Sequence, residues 1–191
     1  MDIVTRQKLE ALNNPKVVKY VEDTIRLCRP AKVTVLTDSI EDINYLKELA
    51  TKNGEEKPLA MKGHTIHFDG PKDLARDKAN TRYLLEKEVD WGMNVNYIWK
   101  KDGLPEIVSY FDGAMEGKEM LVSFFSLGPT NSIFSIKAMQ ITDSAYVTHS
   151  TEILYRSGYE EFKRRAVADD FLFFLHSAGE LKNNVTANID K

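Results

Sequence analysis

The chain has 191 residues, 42% hydrophobic and 29% charged, with 8 Tyr, 9 Phe and 2 Trp. That is the composition of an ordinary globular protein with enough large side chains for one core. The formal net charge of −3 offers no footprint for a nucleic acid, and no apolar run approaches the ~18 residues that span a bilayer. The opening stretch, MDIVTRQKLE, has no apolar core of signal-peptide type, so a cytoplasmic protein without a membrane partner is the expectation. Asn184 in NVT matches a glycosylation acceptor, which carries no weight without a secretory signal. A lone Cys28 cannot form an internal disulfide or anchor a thiolate cluster, and it reads as a small buried hydrophobe.

In chain order, residues 5–28 read as helix, with a break near Asn13-Asn14-Pro15. Val17, Val18, Val21, Ile25 and Cys28 recur at helical spacing, and Pro30 ends the run. Lys32–Thr37 alternates and is β-branched, the pattern of a strand. A helix capped by Asp38 or Ser39 follows, with Ile43, Leu46 and Leu49 on one face and Gly54 closing it. Strand then helix is the unit of an α/β fold.

HTIHFD is expected as a second strand, and KDLARDKANTRYLLEK as a helix or a helix and an extended piece. WGMNVNYIWKKDGL and PEIVSYFDGAMEGK read as loop-rich, with turns at Asp102-Gly103 and Asp112-Gly113. Glu119–Pro129 is the strongest strand signal, because Leu121–Leu127 is apolar except for Ser123 and Ser126, which suits burial on both faces. A further strand falls within Ile133–Thr142. A helix then starts at Asp143 or Ser144 and stops at Gly158, and DDFLFFLHSAG is a last apolar segment. The polar end, ELKNNVTANIDK, resembles a linker cut in the middle. The expected architecture is α/β, a mixed sheet with flanking helices.

Few residues offer chemistry on local pattern. His64 and His67 are three apart, which on a strand places them on opposite sides, so they read as ordinary histidines and not as metal ligands. His149 and His176 have no acidic or thiol neighbour at ligand spacing, and no phosphate loop or nucleophile elbow occurs. No catalytic residue and no metal site is assigned. Thr142, Asp143 and Ser144 sit at a strand-to-helix junction, where an N-cap accounts for all three. FFSLGP reads as a strand-ending turn. Arg76, in GPKDLARDKANT, remains open between two readings: a two-point grip on a small anion or an ion pair with a neighbouring carboxylate.

Taken in order, several stretches resemble the N-terminal domain of the GTP-type phosphoenolpyruvate carboxykinases. RLCRP and the strand after it are similar to that family's early helix and strand. DGPKDLARDKANT looks like its D-P-x-D-V-A-R-x-E-x-x-T segment, and FFSLGP like F-S-M-G-P. QITDSAYVTHSTEILYRSG resembles the L-T-D-S-x-Y-V segment with its helix, and FLHSAG looks like L-H-S-V-G. The resemblance runs from about Val17 to Gly179 and departs in two places. Lys78 stands where the family commonly has Glu after the arginine, and EGKEM replaces K-G-R-T-M. These departures point to a distant branch, and SFFSLGP and ILYRSGYEEFKR lean towards the pyrophosphate-dependent one.

The resemblance implies an enzyme that interconverts oxaloacetate and phosphoenolpyruvate plus carbon dioxide, using GTP or pyrophosphate as phosphoryl donor and Mn2+ or Mg2+. It implies that Arg76 binds the substrate's carboxylate or phosphate. The family's phosphate loop, metal-binding side chains, nucleotide pocket and lid lie downstream of the matched stretches. Residues 1–191 are therefore expected to form a single N-terminal lobe, inactive alone, whose partner is a C-terminal catalytic lobe. The alternative is a free-standing, non-catalytic α/β binding or regulatory module. An exposed apolar patch would favour the lobe.

Overall fold

The computed structural model describes residues 1–68, 81–88, 95–164 and 170–179, and the backbone of 189–190. The first half contains α1 (Ile3–Glu10), α2 (Pro15–Cys28), β1 (Lys32–Val35), α3 (Ile40–Lys52), β2 (Lys57–Pro58), β3 (Thr65–Ile66), β4 (Tyr83–Leu85) and β5 (Tyr97–Trp99). The second contains α4 (Lys100–Phe111), β6 (Glu119–Leu127), β7 (Ile136–Thr142), α5 (Ala145–Leu154), β8 (Arg156–Ser157), α6 (Tyr159–Arg164), β9 (Leu172–Ser177) and β10 (Ile189–Asp190). No described helix is long and apolar enough to cross a membrane.

The main sheet is mixed, in the order β1-β6-β7-β9-β10, with β8 on the β1 side of β6. β1 runs parallel to β6, β6 antiparallel to β7, and β7 parallel to β9. This is the expected mixed α/β architecture, with the apolar run Glu119–Leu127 at its centre. On one face Met120, Val122, Phe124, Met139, Ile141 and Leu175 pack against α1, α2, α4 and α6 through Leu9, Val17, Val21, Phe111 and Phe162. Phe124 and Phe162 meet edge to face at 4.9 Å. Burying a side chain of this size contributes about 2–3 kcal/mol. On the other face Leu121 packs with Leu36 just past β1, with Leu46 and Ala50 of α3 and with Ala145 of α5.

Local chemistry explains the boundaries. The break between α1 and α2 falls where expected: Asn13 is left-handed, Asn14 caps α2 through the Lys16 and Val17 amides, and Pro15 takes the first turn. Arg29 ends α2 in the left-handed region, ahead of Pro30. Ser39, not Asp38, caps α3. Asp38 serves α6 instead, accepting from the Tyr159 and Glu160 amides at 2.9 and 3.0 Å. Cys28 is fully buried, as its apolar setting suggests.

Three expectations need correction. Among its described residues HTIHFD yields only the two of β3, paired with β2 in a hairpin apart from the main sheet. Neither residue of β3 is fully buried, so nothing sustains a longer strand. The expected loop at Lys100–Phe111 is a helix. Its apolar Leu104, Ile107 and Phe111 follow helical spacing that Gly103 and Pro105 obscure. Gly103 lets α4 lie close on the β4–β5 ribbon: a Cβ there would sit 2.5 Å from the Ile98 side chain and 2.6 Å from that of Leu84, which would have to shift. Finally, α5 ends at Leu154, before Gly158, whose role is close approach. A Cβ on Gly158 would lie 2.5 Å from the Phe125 backbone. The turn at Asp112-Gly113 is present.

Candidate functional site

The polar residues of interest gather at the end of the sheet where β7 and β9 finish and β6 begins. α5 starts there. Ser144 caps it by accepting from the Val147 amide at 3.1 Å. Glu55, just past the end of α3, adds a second cap from 89 residues away. Its carboxylate accepts from the Ser144 hydroxyl at 2.5 Å, the Tyr146 amide at 2.9 Å and the Ala145 amide at 3.2 Å. The partial positive charge of this helix end is therefore met by the chain's own carboxylate.

Asp143 does not cap the helix, contrary to the expectation for the junction. Its side chain is fully buried and accepts from Lys118 Nζ at 2.8 Å, the Ser177 hydroxyl at 2.8 Å and the Ala178 amide at 2.7 Å. Lys118 also donates to the Gly179 carbonyl at 2.7 Å. One acid thus ties the start of β6 to the ends of β7 and β9, with charge-assisted bonds at each point. Thr142 shares a buried hydrogen bond with His176 Nδ1 at 2.7 Å and accepts from the Ser144 amide.

The β2–β3 hairpin is fastened to the same helix. The His67 ring stacks on Tyr146 at 3.5 Å between centroids, and its Nδ1 lies 2.6 Å from the Glu55 carbonyl, where it acts as the donor. Next to Glu55, Glu56 is buried and accepts from His149 Nδ1 at 2.7 Å through Oε1. Its other oxygen, Oε2, is buried with no hydrogen-bond partner among the described residues. His149 therefore has an acidic neighbour that sequence spacing did not reveal.

Farther along the same end, Glu119 accepts from Thr34, Tyr45 and Lys32. Burial pushes its carboxyl up, but the hydrogen bonds from Thr34, Tyr45 and Lys32 outweigh this and leave it below the usual carboxylate range.

Arg76, the residue singled out in the sequence, lies outside the described residues. Both flanks of its segment are described. On the N-terminal side His67 is pinned to the start of α5. On the C-terminal side β4 pairs parallel with β5, and Arg82 reaches Glu106 of α4 at 3.3 Å. His64 and His67 have different surroundings: His64 is exposed beside the Lys62 carbonyl while His67 stacks on Tyr146. Among the described residues no three His, Cys, Asp or Glu side chains are grouped to hold a metal ion. An open cleft of about 650 Å³ lies on the β4–β5–α4 unit, walled by Leu85, Trp99, Leu104 and Pro105. One of its cations, Lys100, is already paired with Glu86.

Sequence reasoning missed Glu55, Glu56 and Lys118. The only signal was a pair of acids directly after a helix-closing glycine, and nothing in that pair points to a helix 89 residues on.

Residues 19–191 match the family model described as the phosphoenolpyruvate carboxykinase N-terminal domain. The chain is 50% identical over 186 residues to a protein named phosphoenolpyruvate carboxykinase [GTP] from Thermococcus sibiricus, covering 97% of this chain and 30% of that protein. It is equally similar to the Pyrococcus abyssi protein of the same name, and 41% identical over 174 residues to that of Saccharolobus solfataricus, with 91% and 28% covered. The chain thus spans about 30% of the length of the curated relatives it matches. This chain belongs to the phosphoenolpyruvate carboxykinase family and corresponds to its N-terminal domain.

Proposed function

We propose that residues 1–191 form the substrate-side N-terminal lobe of a GTP-dependent phosphoenolpyruvate carboxykinase, working in the cytoplasm on oxaloacetate and phosphoenolpyruvate. The observation that carries this reading is the near 50% identity, over 97% of the chain, to relatives of that name. The shared name favours GTP over pyrophosphate as donor. Mn2+ or Mg2+ and the nucleotide are assigned to the C-terminal lobe, as the family resemblance implies.

Arg76 is the proposed anion grip. A guanidinium presents parallel N–H donors that fit a carboxylate or phosphate at two points, which fixes orientation as well as position. The flanking anchors support this role. The chain on either side of its segment is held, at His67 by the Glu55 carbonyl and at β4 by pairing with β5. The lobe's contribution is to bind and orient the substrate.

The test is steady-state kinetics on full-length enzyme with Arg76→Ala. A loss of about 30-fold or more in kcat/KM for oxaloacetate is expected, on the order of 2 kcal/mol, with an unchanged unfolding midpoint. Arg76→Lys should recover only part of it, since a lysine keeps the charge and loses the fork. Kinetics within twofold of wild type for Arg76→Ala would remove Arg76 from the site.

A further inference from the structure

Among the described residues, one face of the main sheet is only half covered. α5 begins where β7 ends and finishes against β8, which lies on the side of β6 away from β7. It therefore covers the β6 half of that face. The pairings Ala138↔Leu172 and Gln140↔Phe174, with strand alternation, put Ile136, Leu172 and Phe174 together on the other half. These three are 54%, 46% and 45% exposed. Phe173, one residue away, points to the opposite face and packs into the core.

Among the described residues, most of the strand edge beside this patch is open as well. β9 pairs with β7 on one side. On the other, among the described residues, only β10 pairs with it, antiparallel, through Ile189↔Ser177 and Asp190↔His176. The direction of β10 has a consequence. Carried forward in register, the first residue after Lys191 falls opposite Phe174 and the third opposite Leu172. Directly opposed residues of an antiparallel pair share a face, so those two side chains would stand on the exposed patch.

We propose that the face formed by Ile136, Leu172 and Phe174 is the docking surface for the part of a full-length carboxykinase chain that follows Lys191. That part enters by continuing β10 down the free edge of β9 and then covers the patch. The occupant is set by three features together. An open apolar strand edge invites pairing and is normally covered. The register already in place runs along that edge. The relatives supply the length, since this chain spans 30% of them. The proposal rests on reading this chain as the N-terminal part of a longer enzyme, but it makes no use of Arg76.

Hydrogen exchange with mass spectrometry tests it on the full-length protein, without substrate and at two protein concentrations. The amides of residues 171–177 should exchange roughly 100-fold slower than an open strand edge would, equally at both concentrations. Phe174→Glu should speed exchange in the segment after Lys191 at least tenfold, on the order of a local-opening effect, while β6 stays as protected as in wild type. Fast exchange at the outer amides of β9 in the unmodified protein overturns the proposal. So does protection that disappears on dilution, which would assign the edge to a second copy of the chain. A source gene that stops at Lys191 overturns it too. Because no substrate is present, the result is independent of the Arg76 kinetics: protected β9 with normal Arg76→Ala kinetics would sink only the anion grip.

Discussion

Two buried acids sit at the same end of the sheet and are treated in opposite ways. Asp143 has both oxygens satisfied, by a lysine, a hydroxyl and a backbone amide. Glu56 has one oxygen on His149 and one with no partner among the described residues. Asp143 joins three strands of the main sheet, so its partners are fixed by the ladder itself. Glu56 lies at the start of the small β2–β3 hairpin, which the main sheet does not hold. The contrast separates the rigid frame of the lobe from the piece that carries the chain towards Arg76.

Removing the frame's lock should cost the most. Asp143→Ala leaves Lys118, Ser177 and the Ala178 amide without their acceptor and should destabilise the protein by roughly 3–5 kcal/mol, read as a shift in denaturant midpoint. A change under 1 kcal/mol would mean that the three strands do not depend on this junction. The hairpin's anchor is weaker. His67→Ala removes the stack on Tyr146 and the hydrogen bond to the Glu55 carbonyl, and should cost about 1–2 kcal/mol while raising exchange of the hairpin amides more than those of β6. Equal increases everywhere would show that the hairpin opens only with the whole sheet. Glu56→Gln should be mildest, about 1 kcal/mol or less, because the acceptor for His149 is kept and only an unpartnered oxygen is replaced. A cost equal to that of Asp143→Ala would reveal a partner for Oε2 and erase the distinction between the two acids.

The parts of the fold that were legible in the sequence are those set by neighbours along the chain. The apolar run Glu119–Leu127 announced the central strand. Asn13, Asn14 and Pro15 announced the break between α1 and α2. Ser144 marked the start of α5. Where Gly or Pro served packing across space, local reading failed. Gly103 and Pro105 looked like a loop but belong to α4, and Gly158 looked like a helix stop but lets the chain pass close to Phe125. The candidate site was least legible, because its contacts join Glu55 to Ser144 and Lys118 to Asp143 across long separations. Arg76 came from local chemistry and family resemblance, and its segment lies outside the described residues.

The most direct test of the central claim is a crystal structure of the full-length enzyme with phosphoenolpyruvate bound. Two guanidinium nitrogens of Arg76 are expected within about 3 Å of the ligand's carboxylate or phosphate oxygens, the spacing of a charge-assisted pair. Arg76 paired instead with a protein carboxylate, with the ligand held by other residues, would contradict the account.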